Sequence, residues 1–136
     1  MKISLNEIKN TKQIEGKEFI YICNSSNIFE KKGIKVEFTE EADMQVAIFR
    51  LNGELFCVSN ICPHRHTDHI YEGIIEGKNI VCPVHGWTYS LESGKNINPL
   101  QGLRSLIHYD IIEIDNKIYI EKPEVIIPEW KKNILL

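Results

Sequence analysis

Two cysteine–histidine pairs constrain this chain more than any other feature. Cys62 and His64 are separated by one residue, Cys82 and His85 by two, and seventeen residues lie between His64 and Cys82. Each pair places a soft thiolate and an imidazole on one short loop, so both side chains can turn toward a single metal centre. Pro63 and Pro83 stiffen the two loops, because the pyrrolidine ring fixes φ. Gly73, Gly77, Gly86 and Gly94 read as places where the backbone passes close to a bulky inorganic group.

Four ligands of these types suit two kinds of centre. A tetrahedral zinc site would accept them, but its usual spacings pair cysteine with cysteine and histidine with histidine. Mixed halves fit an iron–sulfur rhomb, with two cysteines on one iron and two histidines on the other. The spacing favours iron–sulfur and leaves zinc open.

The remaining sequence predicts strands. The chain has 136 residues, enough for one domain with its own core. Its apolar runs are short and rich in Ile, Val, Phe and Tyr. Strands are expected over 19–23, 34–38, 45–51, 55–59, 79–81, 88–91, 108–114 and 117–121. Asn52 and Gly53 separate two of these runs, and Asp115 and Asn116 separate two more. Such pairs support tight hairpin turns, whose central residues need positive φ. Many short strands joined this way imply an all-β, antiparallel sandwich or barrel. Segment 24–32 reads as a short helical turn or a loop, with Ser25, Ser26 and Asn27 as capping residues. Segment 123–136 reads as an extended arm ending in a short turn, with Ile126, Ile127 and Trp130 covering core surface or contacting a partner.

Charge excludes some functions. The net charge is -3, so the chain lacks the clustered cations that phosphate binding requires. The pairs Lys31/Lys32 and Lys131/Lys132 read as solvated surface. The opening MKISLNEIKN has charges and amides where a signal peptide needs an apolar stretch, and no run approaches the roughly 20 apolar residues of a membrane helix. A cytoplasmic location, without membrane or nucleic-acid partners, is the expectation. A reducing compartment disfavours disulfides, which again points the clustered cysteines toward metal.

The segment CPHRHTDHIYEGIIEGKNIVCPVHGWTYSLESGK resembles the cluster-binding region of Rieske proteins. It has Cys-x-His, a spacer of the right length and Cys-x-x-His. The proline after each cysteine, His85-Gly86-Trp87 and Ser93-Gly94 are similar to the soluble ferredoxin branch. The preceding VAIFRLNGELFCVSN resembles the strand–turn–strand that leads into the first ligand loop. Pro99 stands where the family places a third loop against the cluster.

The resemblance implies a Rieske-like antiparallel β-sandwich or barrel carrying a cluster-binding subdomain of two ligand loops. The whole of 1–122 would be one Rieske domain, with its motif core at 46–121, and 123–136 a C-terminal extension. It implies one [2Fe-2S] cluster per chain, with Cys62 and Cys82 on the inner iron and His64 and His85 on the outer one. Two neutral imidazoles in place of two thiolates raise the potential above that of all-cysteine ferredoxins.

The implied function is a soluble electron carrier, taking one electron from a flavin reductase to an oxygenase or similar acceptor. It would not be an enzyme in itself, since an oxygenase needs a further domain with a 2-His-1-carboxylate iron site, for which this chain has no room. The alternatives are a small subunit of a multi-component reductase, of the nitrite reductase type, and a structural zinc module.

Departures from the family pattern bear on the potential. Thr67 and Val84 occupy the positions where high-potential members carry a disulfide. Trp87 replaces a serine that donates to a bridging sulfide, whereas Tyr89 matches a tyrosine that donates to a cysteine sulfur. Two absent features against one present donor place the expected potential in the lower half of the Rieske span of roughly −150 to +300 mV. Cys23 and Cys57 read as small buried hydrophobes. His66 and His69 exceed the ligand count and read as surface residues, with docking or pH sensing as the functional alternative. His108 reads as structural, and Arg65 as solvated surface or a docking contact.

Overall fold

The computed structural model describes residues 1–63, 67–84, 86–98, 100 and 104–124. Among these, the strands are β1 (Lys2–Ile3), β2 (Thr11–Ile14), β3 (Lys17–Asn24), β4 (Ile34–Phe38), β5 (Gln45–Leu51), β6 (Glu54–Ser59), β7 (Ile74–Glu76), β8 (Asn79–Val81), β9 (Thr88–Ser90), β10 (His108–Tyr109), β11 (Ile111–Ile114) and β12 (Lys117–Glu121). They form a five-stranded sheet in the order β1-β4-β5-β6-β10, a four-stranded sheet β11-β12-β3-β2 and a three-stranded sheet β7-β8-β9. All pairings are antiparallel except β1 with β4. The all-β expectation holds.

Strand β5 explains how three sheets share one chain. Its side chains alternate between faces, as the period of two requires. Val46 and Ile48 enter a core with Ile20, Ile22, Val36, Phe38, Cys57, Ile118 and Ile120, between the five- and four-stranded sheets. Ala47, Phe49 and Leu51 point the other way, into a second core with Phe56, Val58, Ile70, Ile80, Tyr89 and Leu91. That second core seats the three-stranded sheet. With both faces covered, β5 is apolar almost throughout (QVAIFRL) rather than alternating with polar residues. Each large side chain fully buried this way contributes about 1.5–3 kcal/mol.

The turns behave as their residues dictate. Asn52 and Gly53 have φ of 51° and 80°, and Asp115 and Asn116 have 51° and 64°, the positive values a type I′ turn needs. Glu30 caps the first of these, accepting the Asn52 and Gly53 N–H groups at 2.9 and 2.6 Å. Those backbone bonds hold its carboxyl below the usual range. The 24–32 segment contains the one-turn 3-10 helix Ser25–Asn27.

The structure corrects the expected strands in places. Segment 108–114 is two strands: β10 pairs with β6 in the five-stranded sheet and β11 with β12 in the four-stranded sheet. The chain changes sheet at Asp110, whose N–H is taken by the Glu121 side chain at 2.7 Å. β1, β2 and β7 fall outside the strands read from the sequence. β2 (TKQI) has a single apolar residue and returns through Glu15–Gly16, which carries positive φ without a familiar hairpin pair. Gly73 and Gly94 do not make room for an inorganic group. A Cβ on Gly73 would meet the Val81 carbonyl and the Ile80 side chain, and one on Gly94 the Leu106 carbonyl, so both allow close packing of chain on chain. Gly77, at φ 61°, serves the β7–β8 turn. Lys31 and Lys32 are exposed. The readings of Ile126, Ile127, Trp130, Lys131 and Lys132 lie outside the described residues.

Candidate metal centre

The first ligand loop leaves the end of β6. Asn60, fully buried, anchors it. Its amide donates to Gln45 Oε1 at 3.0 Å and to the Asp68 carbonyl at 2.9 Å, and accepts the Tyr71 N–H at 2.8 Å. It thus ties β5, the exit of the loop and the 3-10 turn Ile70–Glu72 to one another. The loop closes on itself through the Cys62 N–H, which donates to the Thr67 carbonyl at 2.9 Å. Arg104 reaches across to donate to the Pro63 carbonyl at 3.0 Å. Lys35 braces the same side: its ammonium lies 3.7 Å from Asp68 and 5.3 Å from the Tyr71 ring centre.

The second loop joins β8 to β9. The Cys82 N–H donates to the Trp87 carbonyl at 2.7 Å, and the Gly86 N–H to the Cys82 carbonyl at 2.9 Å. Gly86 has φ of 73°, a conformation that favours glycine. Val84 points outward at this tip.

The two cysteines converge. Cys62 and Cys82 are 2% and 1% exposed and belong to the same apolar core as Tyr89. Tyr89 Oη lies 3.5 Å from Cys62 Sγ. Burial pushes the Tyr89 hydroxyl well above its ordinary range, with the bond to Cys62 and the nearby Cys62 and Cys82 thiols adding to the effect. Tyr89 therefore keeps its proton, and toward a thiolate sulfur it is a donor. No disulfide joins the four cysteines. Thr67 and Val84, facing residues of the two loops in the family pattern, offer no sulfur to form one.

Two of the four predicted ligands are thus brought together in a water-poor pocket. The other two, His64 and His85, lie outside the described residues, as do Arg65, His66 and Pro99. The donors present fit an iron–sulfur cofactor. Two soft thiols are buried in one apolar core with a hydroxyl directed at one sulfur, and a second buried hydroxyl, Thr67 Oγ1, has no partner among the described residues. Cys23 and Cys57 are buried in the other core, where desolvation raises both thiols, as inert small hydrophobes. His69 is half-buried, 3.6 Å from Asp68 and 3.7 Å from Glu72. His108 is half-buried in β10 opposite Val58. The anchoring role of Asn60 was not read from sequence; an amide two residues before a ligand cysteine was the only available signal.

Residues 18–106 match the family model of the Rieske [2Fe-2S] domain. The chain belongs to that family. Its cofactor is the 2Fe–2S cluster that the Rieske domain carries, which decides between iron–sulfur and zinc. This Rieske protein is 30% identical over 106 residues to the 3-phenylpropionate/cinnamic acid dioxygenase ferredoxin subunit of Photorhabdus laumondii, covering 77% of this chain and 95% of that one. Its fold is similar to the ferredoxin of Sphingomonas yanoikuyae B1, with a TM-score of 0.66, 20% identity and coverage of 76% and 97%. It is equally similar to a Mycobacterium tuberculosis protein described as an NADH-dependent nitrite reductase small subunit, with a TM-score of 0.67, 20% identity and coverage of 79% and 96%. No helix among the described residues is long and apolar enough to cross a membrane.

Proposed function

We propose that this Rieske protein is a one-electron carrier in the cytoplasm, and that Cys62, His64, Cys82 and His85 hold its [2Fe-2S] cluster. In this reading residues 1–122 work as a single domain and 123–136 as an extension. The electron comes from a flavin reductase and goes to the terminal oxygenase of a multi-component system. The observation that carries the reading is the burial of one cysteine from each of two loops in a single apolar core, with the Tyr89 hydroxyl of β9 against Cys62, in a chain of the Rieske family.

When bound, the cluster supplies a reversible one-electron couple. The chain's own residues do the rest. Cys62 and Cys82 would hold the inner iron, and their burial would keep water from it. Tyr89 donates toward Cys62 Sγ and favours the more negative reduced state. The short closed loops limit rearrangement between the two redox states. The exposed apolar side chains Val84 (39%), Ile97 (49%) and Leu100 (95%), on the second loop and the segment after β9, offer a surface for a redox partner. The relatives named as dioxygenase ferredoxin subunits support an oxygenase as the acceptor.

The second reading, a subunit of a nitrite reductase, is favoured by the structural likeness to the M. tuberculosis protein. Two measurements test the proposal. Iron and acid-labile sulfide analysis should give two of each per chain. Stopped-flow reduction by an NADH-dependent flavin reductase, followed by reoxidation with an oxygenase component, should show single-electron transfer at the cluster bands. A protein free of labile sulfide would remove the centre, and stable co-purification with a large reductase would replace the carrier by the subunit.

A further inference from the structure

Thr67 carries a hydroxyl with nowhere to donate. Its Oγ1 is shut away from solvent and has no hydrogen-bond partner among the described residues. A hydroxyl buried without a partner is destabilising, and native proteins rarely leave one. Packing alone would be served as well by valine, which has the same shape and no such penalty. The position is informative too. The Thr67 carbonyl accepts the Cys62 N–H, so the orphaned hydroxyl belongs to the ring of chain that begins at a cluster cysteine. Tyr89 already addresses Cys62 Sγ from β9. The cofactor brings electron-rich sulfurs into this water-poor pocket, and these are acceptors of the kind the hydroxyl lacks.

We propose that the Thr67 hydroxyl donates a hydrogen bond to a sulfur of the [2Fe-2S] cluster and helps set its potential. The proposal rests on the reading of the centre given above. Thr67 then supplies, from the first loop, a hydroxyl donor, a group that the Trp87 side chain on the second does not carry. A donor to sulfur stabilises the reduced, more negative cluster, so Thr67 raises the potential. Together with Tyr89 it places two hydroxyls around the centre from different parts of the chain.

Protein-film voltammetry of the oxidised holoprotein and of Thr67→Val and Thr67→Ser decides the point, with resonance Raman spectra in H2O and D2O. Thr67→Val should shift the one-electron equilibrium toward the oxidised form by threefold to tenfold, a tenfold change being about 59 mV. Thr67→Ser should stay within twofold of wild type. The Fe–S stretching bands should respond less to D2O in Thr67→Val than in the other two. If Thr67→Val does not assemble, Thr67→Ala is read the same way. An unchanged potential with an unchanged isotope response would overturn the hydrogen bond while leaving the centre intact. A wild-type protein without cluster absorption would instead overturn the centre itself.

Discussion

Replacing Asn60 by alanine tests how the first ligand loop is held. Three hydrogen bonds of the Asn60 side chain disappear: to Gln45 Oε1, to the Asp68 carbonyl and from the Tyr71 N–H. Three bonds at about 1 kcal/mol net each give about 3 kcal/mol. A group left buried without a partner adds to this, but only the Gln45 bond is wholly buried. Water can reach the part-buried Asp68 and Tyr71 groups and limit the excess. The loss should therefore lie near 3 kcal/mol, and it should fall on the loop, because Asp68 and Tyr71 follow the ligands. Urea unfolding of the oxidised holoprotein, followed by far-UV circular dichroism, should show a midpoint lowered by about 1–3 M at a slope typical of small domains, about 1–3 kcal/mol per M. Visible absorption should bleach at lower urea than in wild type. A loss below about 1 kcal/mol, or bleaching at the wild-type midpoint, would show that the amide network does not hold the loop.

Other perturbations have equally defined outcomes. Tyr89→Phe removes the hydroxyl 3.5 Å from Cys62 Sγ; it should lower the potential by roughly 20–60 mV by voltammetry, since up to about a tenfold equilibrium shift corresponds to 59 mV. Alanine at Cys62, Cys82, His64 or His85 should abolish or cripple cluster assembly, visible as lost absorption and labile sulfide, and four fully coloured variants would refute the ligand set. Glu40 is held down to about 2 by the Ser4 hydroxyl and by the Leu5 and Asn6 N–H groups. A depressed carboxylate contributes stability above its unfolded value, 4.5, that is lost as pH falls toward 2. The advantage of wild type over Glu40→Gln, about 1 kcal/mol at neutral pH because the site is solvent-screened, should vanish by pH 2 in paired denaturation curves.

Much of this protein is legible locally. The spacing of Cys62, His64, Cys82 and His85 points to a metal centre without reference to any fold, because ligand geometry restricts which residues can share a metal. The strands 34–38, 45–51, 79–81 and 117–121 and the turns at Asn52–Gly53 and Asp115–Asn116 also follow from residue type, because period-two patterning and positive φ are properties of a few neighbouring residues. What the tertiary structure alone decided depends on residues far apart in the chain. The apolar run of β5 reads as a strand, but that its faces serve two different cores depends on sheets built from residues before and after it. The break at Asp110 exists because one strand must leave β6 and join β12, and nothing in the sequence HYDIIEI marks the transfer. Gly73 and Gly94 read as open space for a cofactor, yet Ile80, Val81 and Leu106 pack there. Asn60 looks like an ordinary polar residue until Gln45, Asp68 and Tyr71 close around it, since a hydrogen-bond network is defined by which groups are buried together.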